Sequence, residues 1–437
     1  MAFPETVKST LWDIIDEMSL SINSYVKHPN KDFLRNRKLN FQKIMHLLIS
    51  MESGCLNHEL LKFFKYDESV PTCSAFYQQR SKISKTAFQH LIKEFNCRFN
   101  MDKYLGKYYL IACDGSEFNI ARNPNDPNTF HEPNGKSALG FNMIHTISLY
   151  ELTNKRYLDL EVQPGRKKNE FQALCNLMDR YSYGGFPIII ADRGFASYNV
   201  FAHAIENHID FIIRAKDLNT MRLLGVDELP DSIDQTVTIL LTATQSKKKR
   251  QHPYQEDQYR YVCKNITFDY LDPQNISDEY SLTLRIVRFK VADGIYENII
   301  TSLPADEFSS DIIKDCYHLR WGIETSLRDL KHTIGTTNFH SKKTEYIEME
   351  IWCRLILYNF CSIIILHTKI KQHSNRKYVY QVNFSMAIKI CFDFLRNVAP
   401  PNIESLISKY ILPIRLERNY ARQHRVQHPA SFSYRYV

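Results

Sequence analysis

Two short apolar runs, each ending in an aspartate, constrain this chain more than any other feature. The first runs from Tyr108 to Cys113 within KYYLIACDGSEFNI (107–120) and stops at Asp114–Gly115. The second runs from Pro187 to Ala191 within YGGFPIIIADRGF (183–195) and leads into Asp192–Arg193–Gly194. Runs of about six such residues, closed by a turn signal, read as buried central strands that need a sheet around them. Taken singly, each aspartate reads as a turn former, because its side chain bonds the local backbone where strands end.

The segments between the two runs extend the sheet. FNMIHTISLYEL (141–152), the polar turn TNKR (153–156) and YLDLEVQP (157–164) make a hairpin with alternating apolar positions. NEFQALCNLMDRYS (169–182) carries apolar residues at helical spacing, at Phe171, Leu174, Cys175 and Met178. A helix around Tyr198 to His208 and a fifth strand, IDFIIRAK (209–216), follow the Asp192 run. The predicted order is β-β-β-α-β-α-β, an α/β arrangement of the ribonuclease-H-like kind.

Downstream, DCYHLRWGIETSLRDLK (315–331) has helical spacing. At about 100° per residue, Tyr317, Arg320, Glu324 and Lys331 share an arc of roughly 60°, with Arg328 beside it. Leu319, Ile323, Leu327 and Leu330 form a separate apolar stripe. A salt-bridged surface helix explains the Glu and Arg at i, i+4. An acid flanked by exposed cations on the rim of a site explains the same residues. The upstream aspartates favour the second reading. The order strand-Asp, strand-Asp, helix-Glu gathers three carboxylates that repel one another unless divalent cations neutralise them. Hard oxygen donors suit Mg²⁺ or Mn²⁺, and two such ions about 3.5–4 Å apart serve phosphodiester chemistry.

Tyr317-x2-Arg320-x3-Glu324-x6-Lys331 resembles the Tyr-Arg-Glu-Lys signature of the DDE transposases of insertion sequence family four. Asp114-Gly-Ser and Asp192-Arg-Gly-Phe stand where that family has its first and second acids, with separations of 78 residues (114 to 192) and 132 (192 to 324). The resemblance extends over roughly residues 30 to 435. It implies a cut-and-paste DNA transposase with a ribonuclease-H-like core and a β-rich insertion before the glutamate. It further implies that Asp114, Asp192 and Glu324 bind two Mg²⁺ or Mn²⁺ ions, and that Tyr317, Arg320 and Lys331 contact phosphates near the transposon end. Arg193, beside the second acid, is a further candidate for DNA contact. The implied partners are double-stranded DNA, as transposon inverted-repeat ends and as target DNA, and a second copy of the chain in a synaptic homodimer. A branch of the family stacks a flipped base on a Trp just before the glutamate helix. Here the tryptophans are Trp12, Trp321 and Trp352, so none lies between Asp192 and Tyr317. Tyr296 offers a stacking face in that neighbourhood, or packs a strand. Two alternatives keep part of this picture: a metal-dependent nuclease without strand transfer, and a non-catalytic DNA-binding protein derived from a transposase.

At 437 residues the chain suits several domains. The expected divisions are a helical, DNA-binding N-terminal part (1–105), the first part of the catalytic core (106–216) and a β insertion (217–300). The second part of the core (301–372) and a C-terminal helical region with a basic tail (373–437) follow. A net charge of +8 favours phosphate-rich partners. Basic stretches at 27–43 and in SKKKR (246–250) are candidate backbone contacts or solvated faces, and the arginine- and tyrosine-rich tail (415–437) either suits a nucleic-acid backbone or folds against the catalytic domain. Ten scattered cysteines include no Cys-x2-Cys pair, which argues against zinc, and without a signal peptide they read as reduced thiols of a cytosolic protein; the resemblance implies a bacterial cytoplasmic protein, nucleoid-associated when bound to DNA. The stretch 351–370 is the most apolar, but Arg354, Asn359, His367 and Lys369 make it a buried helix rather than a membrane span.

Overall fold

The computed structural model describes residues 2–135, 137–243, 259–263, 265–272, 274, 278–335, 338–373, 376–414 and 433–434. The basic loop 246–250 and the tail from 415, apart from 433–434, lie outside them. Five helices come first: α1 (Phe3–Leu20), α2 (Phe41–Ser50), α3 (Leu56–Phe63), α4 (Cys73–Arg80) and α5 (Lys85–Cys97). Then come β1 (Tyr108–Ile120), β2 (Phe130–His131), β3 (Phe141–Glu151), β4 (Arg156–Pro164), α6 (Glu170–Asp179), β5 (Phe186–Ala191), α7 (Tyr198–Glu206) and β6 (Asp210–Ala215). The next stretch holds α8 (Asp217–Leu224), β7 (Ile233–Thr242), β8 (Tyr259–Tyr261), β9 (Glu279–Ala292) and β10 (Ile295–Thr301). It is followed by α9 (Ser310–Leu319), α10 (Trp321–Asp329), a π-helical turn (Leu330–Ile334), β11 (Asn338–Phe339) and α11 (Thr344–His367). Last come β12 (Tyr380–Val382), α12 (Phe384–Leu395), α13 (Ile403–Ile407), β13 (Ile411–Pro413) and β14 (Ser433–Tyr434).

One mixed sheet runs in the order β4-β3-β1-β5-β6-β10-β9-β7-β8, with β2 also on β3. β1, β5 and β6 are parallel, and β3 and β4 run antiparallel to their neighbours. The central strands are apolar on both faces because helices cover both. Ile111 and Cys113 pack with residues of α6 and α7. On the other face Leu110 meets α9, while Ala112 joins the core of α10 and α11.

The sequence predicts 217–300 as an inserted β module. Strands are present, but they continue the central sheet instead of standing apart from it. β10 pairs antiparallel with β6 from Asn298↔Ala215 to Thr301↔Ile212, and β9 and β7 add outward from it. The reason lies in β6, which would otherwise leave a row of unpaired N–H and C=O groups at a buried sheet edge.

α11 is the other organiser. Its side chains from Tyr346 to Ile365 are nearly all buried, as expected of a helix apolar all round. It is the one helix among the described residues long and apolar enough to cross a membrane, and 94% of that window lies inside the protein. The N-terminal helices do not enclose a core of their own. Val7, Leu11, Ile44, Leu48, Phe88 and Leu91 pack in one cluster with α11 and α12. The basic stretch 27–43 is mostly turns, with α2 starting only at Phe41.

A buried polar junction welds these parts. Arg80 Nη1 donates to Glu350 Oε1 at 2.9 Å and Arg80 Nη2 to the Tyr346 carbonyl, while His340 Nδ1 lies 3.0 Å from Glu350 Oε2. Arg354 caps the end of α2 by donating to the carbonyls of Met51 and Glu52. Burial opposes the charge on Glu350, but Arg80 and His340 outweigh it and hold its carboxyl down at about 2. A carboxyl lowered on folding stabilises above its unfolded value of about 4.3 and loses that contribution as pH falls towards the folded one. Arg80→Ala leaves Glu350 buried with its main partner gone, so urea unfolding at neutral pH is expected to lose about 3–5 kcal/mol. The deficit should shrink in acid, as Glu350 takes up a proton.

Candidate active site

The two aspartates meet because of strand register. β1 and β5 pair in parallel from Tyr108↔Phe186 to Cys113↔Ala191 and no further. Asp114 and Asp192 are each the next residue, so the ladder delivers them side by side where the strands part. Side chains alternate across a sheet, and both aspartates fall on the face that carries α9 and α10, opposite Cys113 and Ala191.

The expectation that the first strand ends at Asp114–Gly115 is corrected here. β1 continues to Ile120, paired with β3 as far as Ile120↔Asn142. Gly115 is therefore not a turn residue. A Cβ at that position would lie 2.9 Å from His145 Cε1 and 3.1 Å from Ile147 Cδ1, so glycine is required by the imidazole packed against the strand. His145 is buried on β3, and its Nε2 lies 3.1 Å from Glu170 Oε1 at the start of α6.

Each acid is held locally. Asp114 Oδ1 accepts from the Gly115 amide at 2.8 Å, and Asp192 Oδ1 accepts from the Arg193 amide at 2.7 Å. The Tyr317 hydroxyl donates to Asp192 Oδ1 at 3.4 Å, and Arg320 Nη2 donates to Glu324 Oε1 at 2.9 Å. Burial pushes the Asp114 carboxyl up to about 6, and the charges of Glu324 and Asp192 add to the rise, while the Gly115 amide and Arg320 oppose it. The three acids and Arg320 thus form one electrostatic unit. Lys331 sits 5.1 Å over the Phe118 ring, where burial lowers its pKa and Glu117 and Asp114 counter that effect. Arg193 is exposed beside Asp192.

Two details depart from the helical-wheel reading. Tyr317 and Arg320 are each only 4% exposed instead of lining an open rim. The clustered acids need a cation within the protein, and Arg320 provides it from beneath. The helix is also not uniform. It tightens at Arg320, whose amide bonds to the Tyr317 carbonyl while Ile323 bonds back to Arg320, both at i−3 and 3.1 Å. That shift in phase leaves Leu319 46% exposed, outside the stripe that buries Ile323, Leu327 and Leu330. Tyr296, the candidate stacking face, is already engaged: its hydroxyl donates to Asp231 at 2.6 Å and Arg288 covers its ring at 4.4 Å.

The donor set is right for hard divalent cations. As they stand, though, Glu324 is tied to Arg320 and Asp192 to Tyr317. Among the described residues no three Asp, Glu, His or Cys side chains are drawn together closely enough to hold an ion. Sequence reasoning missed the His145–Glu170 pair and the exposed Arg166 and Lys167. The only signal of the latter was the run Gly-Arg-Lys-Lys at 165–168.

Residues 105–360 match the family model of the transposase DDE domain. That is more than half of the chain, and the chain belongs to this family. The transposase of insertion sequence element IS421 from Escherichia coli is 24% identical over 192 residues, which cover 41% of this chain and 51% of that protein. The chain therefore spans about half the length of the curated relatives it matches. Among solved structures, a piggyBac transposase synaptic complex with hairpin DNA aligns over 95% of this chain and 87% of that one, at 11% identity and a TM-score of 0.45.

Two expectations test this geometry. A carboxyl raised on folding stabilises below its unfolded pKa and loses that contribution as pH climbs through the folded value. Metal-free Asp114→Asn should therefore unfold at higher urea than the parent at pH 8, by about 1–3 kcal/mol for a carboxyl raised to about 6. Near pH 4 the difference should vanish. Gly115→Ala should destabilise by about 1–3 kcal/mol through overpacking, and His145→Ala added to it should restore part of that loss in a double-mutant cycle.

Proposed function

We propose that the protein is a cut-and-paste DNA transposase of insertion sequence family four. In this reading its β4-β3-β1-β5-β6 strands form a ribonuclease-H-like core. The observation that carries the proposal is the register that seats Asp114 beside Asp192 opposite Glu324. The spacing Tyr317, Arg320, Glu324, Lys331 and the strands between the second aspartate and the glutamate support the finer family assignment.

Asp114, Asp192 and Glu324 would hold two Mg²⁺ or Mn²⁺ ions. When bound, such ions neutralise charge at the attacking and leaving oxygens of a phosphodiester. The chain's own contribution is positioning. The β1–β5 ladder fixes the aspartates to the rigid centre of the sheet, and Tyr317 orients the second of them. Arg320 offsets acidic charge from within the protein, and Lys331 reaches the same face from the π-helical turn. Phosphoryl transfer depends mainly on such placement and charge neutralisation. The substrates are double-stranded inverted-repeat ends and then target DNA, handled by a homodimer in the bacterial cytoplasm.

The test is Mg²⁺-dependent cleavage of a duplex carrying the DNA that flanks the gene. Asp114→Asn, Asp192→Asn and Glu324→Gln should each lower cleavage roughly a hundredfold or more, the equivalent of losing a few kcal/mol of charge stabilisation. Duplex binding should persist. Full cleavage by any one of these variants would remove that residue from the reaction.

A further inference from the structure

Past the acidic site the sheet narrows to an arm. β5 ends at the level of Asp114, while β1, β3 and β4 continue, and Asp114 pairs with Ser148, which pairs with Leu160. The arm's outer end is built rigidly. Asn142, buried on β3, receives the Asn123 amide at 2.7 Å and donates to the Asn123 carbonyl at 3.0 Å and Thr129 Oγ1 at 2.9 Å. The turn after β4 is fastened at two points. The Arg166 amide bonds to the Asn128 carbonyl at 2.9 Å, and a Cβ at Gly165 would lie 2.5 Å from the Met143 carbonyl oxygen, so the turn lies flat on β3.

What this turn presents is charge. Arg166, Lys167 and Lys168 are all exposed. Lys168 pairs with Glu117 at 3.1 Å, whereas among the described residues no carboxylate pairs with Arg166 or Lys167. The neighbouring acids are otherwise engaged, Glu170 with His145 and Asp126 with the Asn128 amide and the Thr129 hydroxyl. Arg122 is exposed at the tip, its Nε donating to the Leu139 carbonyl at 2.9 Å. Glu117, which Lys168 reaches, is three residues beyond Asp114, and Arg166 follows six residues after Leu160. At about 3.3 Å per residue the cations of the turn stand roughly 10–20 Å from Asp114, the axial span of about three to six nucleotides of a duplex strand, and Arg122, eight residues beyond Asp114, stands roughly 25 Å away.

We infer that this arm is a second DNA contact, in which Arg166 and Lys167 hold the sugar-phosphate backbone about three to six nucleotides from the acidic site and Arg122 meets it farther out, at the tip. The inference rests on the DNA-cutting function proposed above and adds where the duplex runs after leaving the carboxylates. An anchored turn with free cations grips phosphates without reading sequence, as suits an enzyme that must hold both its own ends and arbitrary target DNA.

The test is fluorescence anisotropy of the full-length protein on a labelled random-sequence duplex over a series of KCl concentrations. The double variant R166A/K167A should reduce the slope of log affinity against log salt by about two counterions, at about 0.9 each. Its thermal midpoint should stay unchanged, and a control double variant, K389A/K409A in the C-terminal helical region, should keep the parent slope. An unaltered slope in R166A/K167A, or an equal loss in the control, overturns the contact. If the slope is unaltered while the parent still cleaves DNA with Mg²⁺, the arm assignment alone falls. If the parent neither binds duplex nor cleaves it, the DNA-cutting function falls as well.

Discussion

The parallel ladder between β1 and β5 is the constraint on which the rest depends. It ends at Cys113↔Ala191, and that endpoint decides where the two aspartates stand. A slip of either strand by one residue would turn its aspartate to the opposite face, towards α6 and α7, away from the other acid and from Glu324. Register is enforced from both sides by fully buried residues: Ile111, Cys113, Ile189 and Ala191 on one face, Leu110, Ile188 and Ile190 on the other. The acids contribute nothing to that enforcement. They are carried by a hydrophobic sheet that would pair the same way without them.

Their gathering works against stability. Burial and two like charges raise the carboxyl of Asp114, so the folded chain at neutral pH holds an ion it disfavours. The protein offsets the strain with Arg320, buried beneath the site and bonded to Glu324. This is the opposite of Arg80 and Glu350, where a fully buried pair joins the helical segments and Arg80 and His340 together depress the carboxyl. Both are arginine–glutamate pairs built on a buried arginine, but Glu350 is buried with its partner while Glu324 is only half-buried. One stabilises the fold, and the other restrains a site that the fold would rather not charge.

Much of this was legible in the sequence because it follows from local periodicity. The strand runs at 108–113 and 187–191, the helical spacing at 169–182 and the Tyr-Arg-Glu-Lys spacing are short-range patterns, and the elements they imply are present. What was not legible depends on partners distant in sequence. Asp114–Gly115 reads as a turn until His145 is known to fill the space over Gly115. Leu319 reads as core until the i−3 bonds at Arg320 shift the helix out of phase. Residues 217–300 read as a separate module because nothing local reveals that β10 will pair with β6. The N-terminal helices carry basic residues that suggest autonomy, yet their apolar faces belong to the cluster around α11.

The pairing of β10 with β6 has a mechanical consequence. A domain hung on two linkers can swing, and its distance from an active site is a distribution. Here the extra strands are hydrogen-bonded into the central sheet, so bending them away means breaking the Asn298-to-Thr301 ladder and opening the core beneath it. The arm of β1, β3 and β4 on one side of the acids and the β10–β9–β7 extension on the other are therefore two ends of a single beam. Whatever lies across the carboxylates is gauged against a fixed span, and adjustment in fit has to come from the bound molecule bending to the protein.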